Sequence, residues 1–253
     1  MEHFVIMIKN YFGVDVDYSK LKDIFRKLKS KVYKANPQTV CINCPGKEEV
    51  TADCCRIDNP PVYFIEFIHI MEYISNNFSQ DELKELSYKC YEAFFNDEPT
   101  FPCIFLKDKS TCTVYKARPQ NCRNYGIVPP DEWSERQKNV AQKRKVAIED
   151  LPMCEQCPNV DIKGKEGKDK DWANLRSNQN KVYSRLIEIE KEIGCAEDNI
   201  ASGATNINFP MHYLLHLIGP DKLDELTAVR EVVKKDILLK QNILSKFRSS
   251  LGL

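Results

Sequence analysis

The sequence predicts a mainly α-helical protein whose helices surround a cysteine-rich, irregular metal-binding centre with a small β-hairpin. Three observations carry that expectation. Apolar residues recur at three- and four-residue spacing on both sides of the chain's middle, as amphipathic helices require. The periodicity vanishes in "NPQTVCINCPGKEEVTADCC". Ten of the eleven cysteines lie between Cys41 and Cys157, far denser than core packing alone calls for.

Taken in order, "HFVIMIKNYF" reads equally as a short strand or as the buried start of a helix. "DYSKLKDIFRKLKSKVYKA" sets Leu21, Phe25, Leu28 and Val32 on one helical stripe, with most lysines off it. Pro60 and Pro61 are expected to open a helix carrying Phe64, Phe67, Ile68, Met71 and Ile74. Ser79 and Glu82 have capping-box spacing ahead of Leu83, Leu86, Cys90 and Phe94, which predicts a further helix with Cys90 on its core stripe. "CIFLKDKSTCTVY" has apolar runs on either side of "KDKS" and predicts a hairpin that brings Cys103 toward Cys112. "KGKEGKDK" reads as a solvated loop. Trp172, Leu175, Val182, Leu186 and Ile189 mark a helix, and "FPMHYLLHLIG" a shorter one. Leu223, Leu226, Val229, Val233, Ile237 and Leu244 predict one long C-terminal helix. The expected organisation is an N-terminal strand or helix over 1–40, a cysteine-rich metal-binding domain over 41–160 and a helical extension over 161–253.

Bulk properties narrow the function classes. At 253 residues the chain can bury a sizeable core without metal staples throughout. Its 37 basic and 37 acidic residues argue against a nucleic-acid or membrane-surface protein working by bulk charge. No apolar run reaches the roughly 18 residues of a membrane span. "MEHFVIMI" lacks the charge and length of a signal peptide, so the expected location is cytoplasmic. A cytosol keeps thiols reduced, and clustered cysteines there read as metal ligands rather than disulfides.

Cys41-Ile42-Asn43-Cys44 and Cys154-Glu155-Gln156-Cys157 are C-x-x-C turns, whose tight bend converges two sulfurs on one metal. Cys54 and Cys55 are adjacent, and neighbouring side chains point apart, so they are expected to serve different surroundings. Cys103, Cys112 and Cys122 complete nine candidates, enough for two four-thiolate sites or for one site with bystanders. Soft thiolates favour zinc or an iron–sulfur cluster, a four-iron cluster first, over hard cations. A four-thiolate site keeps a charge near minus two, which nearby donors must offset. Arg118 and Arg123, close to Cys122, suit that role by donating to sulfur or to a carboxylate, although taken alone they read equally as surface cations. Pro119 sets the chain direction, and Tyr115 is placed to close the site against solvent.

The pattern C-x-x-C, then Cys-Cys, then "CIFL", then "CTVYKARPQNCR" resembles the zinc- or iron-chelating CxxCxxCC family of Fe–S-cluster-containing proteins. The likeness spans roughly residues 41–157 and is most specific at Tyr115, Arg118, Pro119, Cys122 and Arg123. It implies ligand roles for Cys41, Cys44, Cys54, Cys55, Cys103, Cys112 and Cys122, with a late ligand at Cys154 or Cys157. One departure is the insertion "PGKEEVTAD" ahead of Cys54, a longer loop that closes on the same metal at small entropic cost. Relatives of this pattern include protein lysine N-methylases that act on flagellin, similar through the cysteine region alone. No glycine-rich nucleotide loop accompanies it here.

Other candidates read as structure. His212 and His216 share a helical face, lack the metalloprotease glutamate, and sit among apolar neighbours as core histidines would. Glu188 and Glu192 read as a solvated face, and the aromatic residues from Tyr63 to Phe67 as core. Three functional readings stand side by side. One is a metal- or cluster-binding protein for redox, storage or delivery. The second is an enzyme resembling protein lysine N-methylases with a thiolate metal centre. The third is a structural zinc module presenting helices to a protein partner.

Overall fold

The computed structural model describes residues 17–35, 55, 59–96, 101–107, 111–125, 127–150, 171–195, 203, 205–234 and 236–253. Within them the chain is mainly helical, with two small antiparallel two-stranded sheets. Helix α1, Tyr18–Lys27, starts at Asp17, whose carboxylate accepts the Lys20 N–H at 2.7 Å. It buries Leu21, Ile24 and Phe25 and then widens into a π-helical segment, Leu28–Tyr33, that buries Leu28, Val32 and Tyr33.

The expected helix start at Pro60 and Pro61 is corrected. Pro61–Tyr63 is strand β1, paired antiparallel with strand β4, Asn206–Asn208, with Val62 opposite Ile207. Proline is tolerated at the first residue of an edge strand, and the partner lies far along the chain, where local periodicity carries no trace of it. Helix α2, Phe64–Asn77, follows. Residues Phe64 to Ile70 are buried without a gap, so its first two turns run through the middle of the fold. Helix α3, Gln80–Phe95, has the predicted capping box: Ser79 Oγ accepts the Glu82 N–H, and a Glu82 carboxylate oxygen accepts the Ser79 N–H at 2.8 Å. Cys90 is fully buried on its core face.

The predicted hairpin consists of β2, Leu106–Lys107, and β3, Thr111–Cys112, with Leu106 opposite Cys112. A short helical turn α4, Gln120–Arg123, follows. Helix α5, Pro130–Arg144, has no counterpart in the sequence reading, because its composition is polar and it buries little beyond Trp133 and Ala141. Helix α6, Trp172–Glu192, is capped by Asp171 and buries Val182, Leu186 and Ile189 as predicted. Helix α7, Phe209–Ile218, leads to α8, Pro220–Val233, and α9, Ile237–Ser250. The single long C-terminal helix is thus corrected to two. Asp236 caps α9 by accepting the Leu239 N–H at 2.9 Å, and its own extended backbone breaks the run.

A large apolar core takes Leu21 from α1, Phe67 from α2, Leu86 from α3, Phe105 beside the hairpin, and Leu186 from α6. These come from all three expected segments. A smaller cluster of Phe94, Phe95, Leu214, Leu223, Val233 and Leu244 holds α7, α8 and α9 against α3. No helix among the described residues is long and apolar enough to cross a membrane.

Candidate functional site

Backbone hydrogen bonds link the segment of Cys55 to that of Cys103, and the hairpin carries the chain on to Cys112. The Cys103 N–H donates to the Cys55 carbonyl at 2.6 Å, joining the Cys-Cys segment to the "CIFL" segment. Asn59 holds the same stretch from its other side. Its amide donates to the Pro102 carbonyl at 3.3 Å, and its carbonyl oxygen accepts the Ile104 N–H at 2.9 Å. Cys103 is therefore framed by Asn59 on both flanking peptides. The Leu106 N–H bonds back to the Cys103 carbonyl at 2.9 Å, and the hairpin then returns the chain to Cys112.

Beyond Cys112 the chain makes a 3-10 turn, Tyr115–Ala117, before Arg118 and Pro119. Pro119 stands at the N-terminus of α4, and its carbonyl accepts the N–H groups of Cys122 and Arg123, both at 3.1 Å. Arg118 and Arg123 are not surface cations: they are only 6% and 8% exposed. The Arg118 guanidinium lies 4.2 Å from the Tyr115 ring centre, and the Arg123 guanidinium 4.1 Å from that of Tyr33. Arg123 donates through Nε to the Arg118 carbonyl at 2.9 Å and through Nη2 to the Lys116 carbonyl at 3.2 Å. It staples the loop that leads into Cys122, where the sequence reading expected a bond to sulfur or to a carboxylate. Tyr115 is 44% exposed and forms a platform for Arg118 at the rim.

Under this loop lies a carboxylate that sequence reasoning passed over. Glu66 on α2 is fully buried. One oxygen accepts the Gln120 N–H at 2.6 Å, and the other accepts the Tyr63 N–H at 3.3 Å. It thus ties the start of α2 to the start of the turn bearing Cys122, completing both helix N-termini with one negative group. Burial pushes its pKa up to about 7, against the pull of these donors and of Arg123. The Tyr33 hydroxyl interacts with Glu66 without reaching full hydrogen-bond geometry, and burial lifts its pKa well above the usual range. Cys122 lies within electrostatic range of both Tyr33 and Arg123.

A second buried carboxylate, Glu190 on α6, accepts the Ile65 N–H at 2.6 Å and the Cys195 thiol at 3.3 Å. Burial lifts its pKa to about 8, and the neighbouring Glu66 adds to the shift. The sequence offered one local sign of Glu66, its position three residues after Tyr63 at a helix start; Glu190 and Asn59 have no local signature at all. His212 and His216 pair with each other at 3.3 Å, and His212 donates through Nε2 to the Val62 carbonyl at 2.9 Å. Their rings pack on Phe64 and Phe67, and burial holds both pKa values low, about 4 and about 3.

Cys55, Cys103, Cys112 and Cys122 are half-buried, while Cys41, Cys44, Cys54, Cys154 and Cys157 lie outside the described residues. Among the described residues no three His, Cys, Asp or Glu side chains gather closely enough to hold one metal ion. Any site of three or more thiolates would therefore draw on cysteines from the second group. Comparison with protein-family models, with curated proteins and with solved structures gives no match to this chain.

Proposed function

We propose that the chain holds an iron–sulfur cluster or zinc on clustered cysteine thiolates and uses it in redox chemistry, storage or delivery of the metal. The observation that carries this reading is the Cys103 N–H bond to the Cys55 carbonyl, which joins two cysteine segments remote in sequence. The hairpin register and the braced turn add Cys112 and Cys122 from the same stretch of chain. The donor chemistry fits. Cysteine sulfur is soft and suits zinc or iron–sulfur clusters, and a buried cationic lining offsets the negative charge of such a site. Arg123 supplies that lining beside Cys122 while its N–H groups keep the loop closed. Cys55, Cys103, Cys112 and Cys122 would contribute ligands, completed from Cys41, Cys44, Cys54, Cys154 and Cys157. The same motif order supports kinship with the CxxCxxCC family. A bound cluster would supply electron transfer; the protein's part is to order the thiols and exclude water.

The test is purification without oxygen, with metal, acid-labile sulfide and absorption measured on one sample. Iron with sulfide and a broad band at roughly 400 nm is the expected result for a cluster. Zinc without colour would assign the thiolates to a structural ion, and metal-free protein of full stability would overturn the proposal. Cys122→Ser should lower metal content and stability together, whereas Cys90→Ser, deep in the core, should leave metal content unchanged.

A further inference from the structure

Four residues after Cys55 the chain carries Asn59, whose side chain is buried at only 7% exposure. Asn59 bonds to both peptides that flank Cys103. Its Nδ2 donates to the Pro102 carbonyl at 3.3 Å, and its Oδ1 accepts the Ile104 N–H at 2.9 Å. The remaining polar atoms of those two peptides are engaged as well. The Cys103 N–H donates to the Cys55 carbonyl at 2.6 Å, and the Cys103 carbonyl accepts the Leu106 N–H at 2.9 Å. Every N–H and C=O of the two peptides is thus tied down, two of them by one side chain and one by the backbone of Cys55 itself.

The sequence mounts this clamp on stiff supports. Asn59 precedes Pro60, and the proline ring restricts the residue before it to extended backbone. Strand β1 starts at Pro61, and its pairing with β4 anchors the clamp to a remote part of the chain. Pro102, with φ fixed by its own ring, stands directly ahead of Cys103. Cys103 itself lies in neither a helix nor a strand, so no repeating ladder supplies partners for its peptides. One carboxamide, with a donor edge and an acceptor edge, takes the place of a neighbouring strand. Holding both peptides fixes φ and ψ of Cys103 and therefore the direction of its Cα–Cβ bond. The thiol keeps only the few staggered positions of χ1.

We infer that Asn59 is a positioning residue for metal binding: it presets Cys103 relative to the Cys55 segment, so that this part of the thiolate site stands before a metal arrives. The inference rests on the reading of these cysteines as ligands. A metal that meets a preset thiol does not have to order that residue's backbone, and the free energy so spared appears as affinity and slow release. Groups that orient metal ligands from outside the coordination sphere typically change affinity about 10- to 100-fold. The carboxamide is also the fitting chemistry. A carboxylate in its place would have no donor for the Pro102 carbonyl, and an aliphatic side chain would leave the Ile104 N–H without its acceptor as well.

Two measurements on the full chain test this. The metal present at purification is drawn off with excess EDTA, and Asn59→Ala should release it about tenfold faster than the parent. Iodoacetamide labelling of the metal-free protein, read by peptide mass spectrometry, should proceed about tenfold faster at Cys103 in the variant and at the parental rate at Cys112. Asn208→Ala, which removes the side-chain cap of α7, controls for a general loss of stability and should change neither rate. Urea unfolding compares the stabilities of the two variants. If Asn59→Ala does not fold, Asn59→Asp replaces it, keeping the Ile104 bond and losing the Pro102 bond; about threefold in both rates is then expected. Metal release at the parental rate, equal acceleration at Cys103 and Cys112, or the same effects from Asn208→Ala would each overturn the inference. A parent that purifies without metal overturns the ligand reading instead, and the Cys103 labelling then decides by itself whether Asn59 orients the thiol.

Discussion

Glu66→Gln isolates the buried carboxylate that underlies the Cys122 turn. Glu66 is fully buried, and burial raises its pKa from 4.5 to about 7. A carboxyl with a raised pKa in the fold holds its proton there at pH values where the unfolded chain has released it. Its stabilising contribution is therefore complete below pH 4.5 and is lost as pH rises through about 7. At about 1.4 kcal/mol per unit, the ionised group costs the fold about 3 kcal/mol above that range. Glutamine has the shape of the protonated acid and cannot ionise, so it escapes this loss. Between pH 5 and pH 8 the variant should gain roughly 2–3 kcal/mol relative to the parent. A second, pH-independent difference accompanies it. Gln has one acceptor oxygen where Glu serves two N–H groups, so one donor is left over at a cost of about 1–3 kcal/mol. Glu190 belongs to the same titration, because the Glu66 charge helps to raise its pKa, and the substitution relaxes that shift too. Urea unfolding followed by far-UV circular dichroism across this pH range measures the difference. Parallel stability curves for parent and variant would refute a buried, reluctantly ionised Glu66.

Two further changes probe the same framework. Arg123→Ala removes two bonds from a charged donor to carbonyls and the contact with Tyr33, and should cost roughly 3–5 kcal/mol in urea unfolding. Arg123→Lys, with a single donor head, should recover less than half of that loss. His212, with its pKa held at about 4, binds fewer protons in the fold than in the unfolded chain, so the stability it contributes above pH 6.5 is lost as pH falls toward 4. His212→Gln, able to keep a donor to the Val62 carbonyl, should flatten that acid limb by about 2–3 kcal/mol, read from unfolding curves between those pH values.

The helices that formed as expected share one property: their evidence lies within a turn or two of chain. Ser79 and Glu82 cap each other, Asp17 caps α1, and Val182, Leu186 and Ile189 repeat along α6, because each depends only on helix geometry and on which side chains avoid water. The hairpin between Leu106 and Cys112 was legible for the same reason. The nine cysteines and the two arginines stood out by residue type and spacing.

Where the reading departed from the structure, the deciding partner was distant. Pro61–Tyr63 became a strand because Asn206–Asn208 pairs with it. Arg123 reads either as a donor to sulfur or a carboxylate or as a surface cation, whereas Tyr33 and two carbonyls of its own loop hold it inside. Local sequence specifies helices, caps and the supply of thiols, since these follow from short-range sterics and polarity. Which charged groups are buried, and which carboxylate braces the Cys122 turn, follows from desolvation and long-range pairing, and those exist only once the chain has packed.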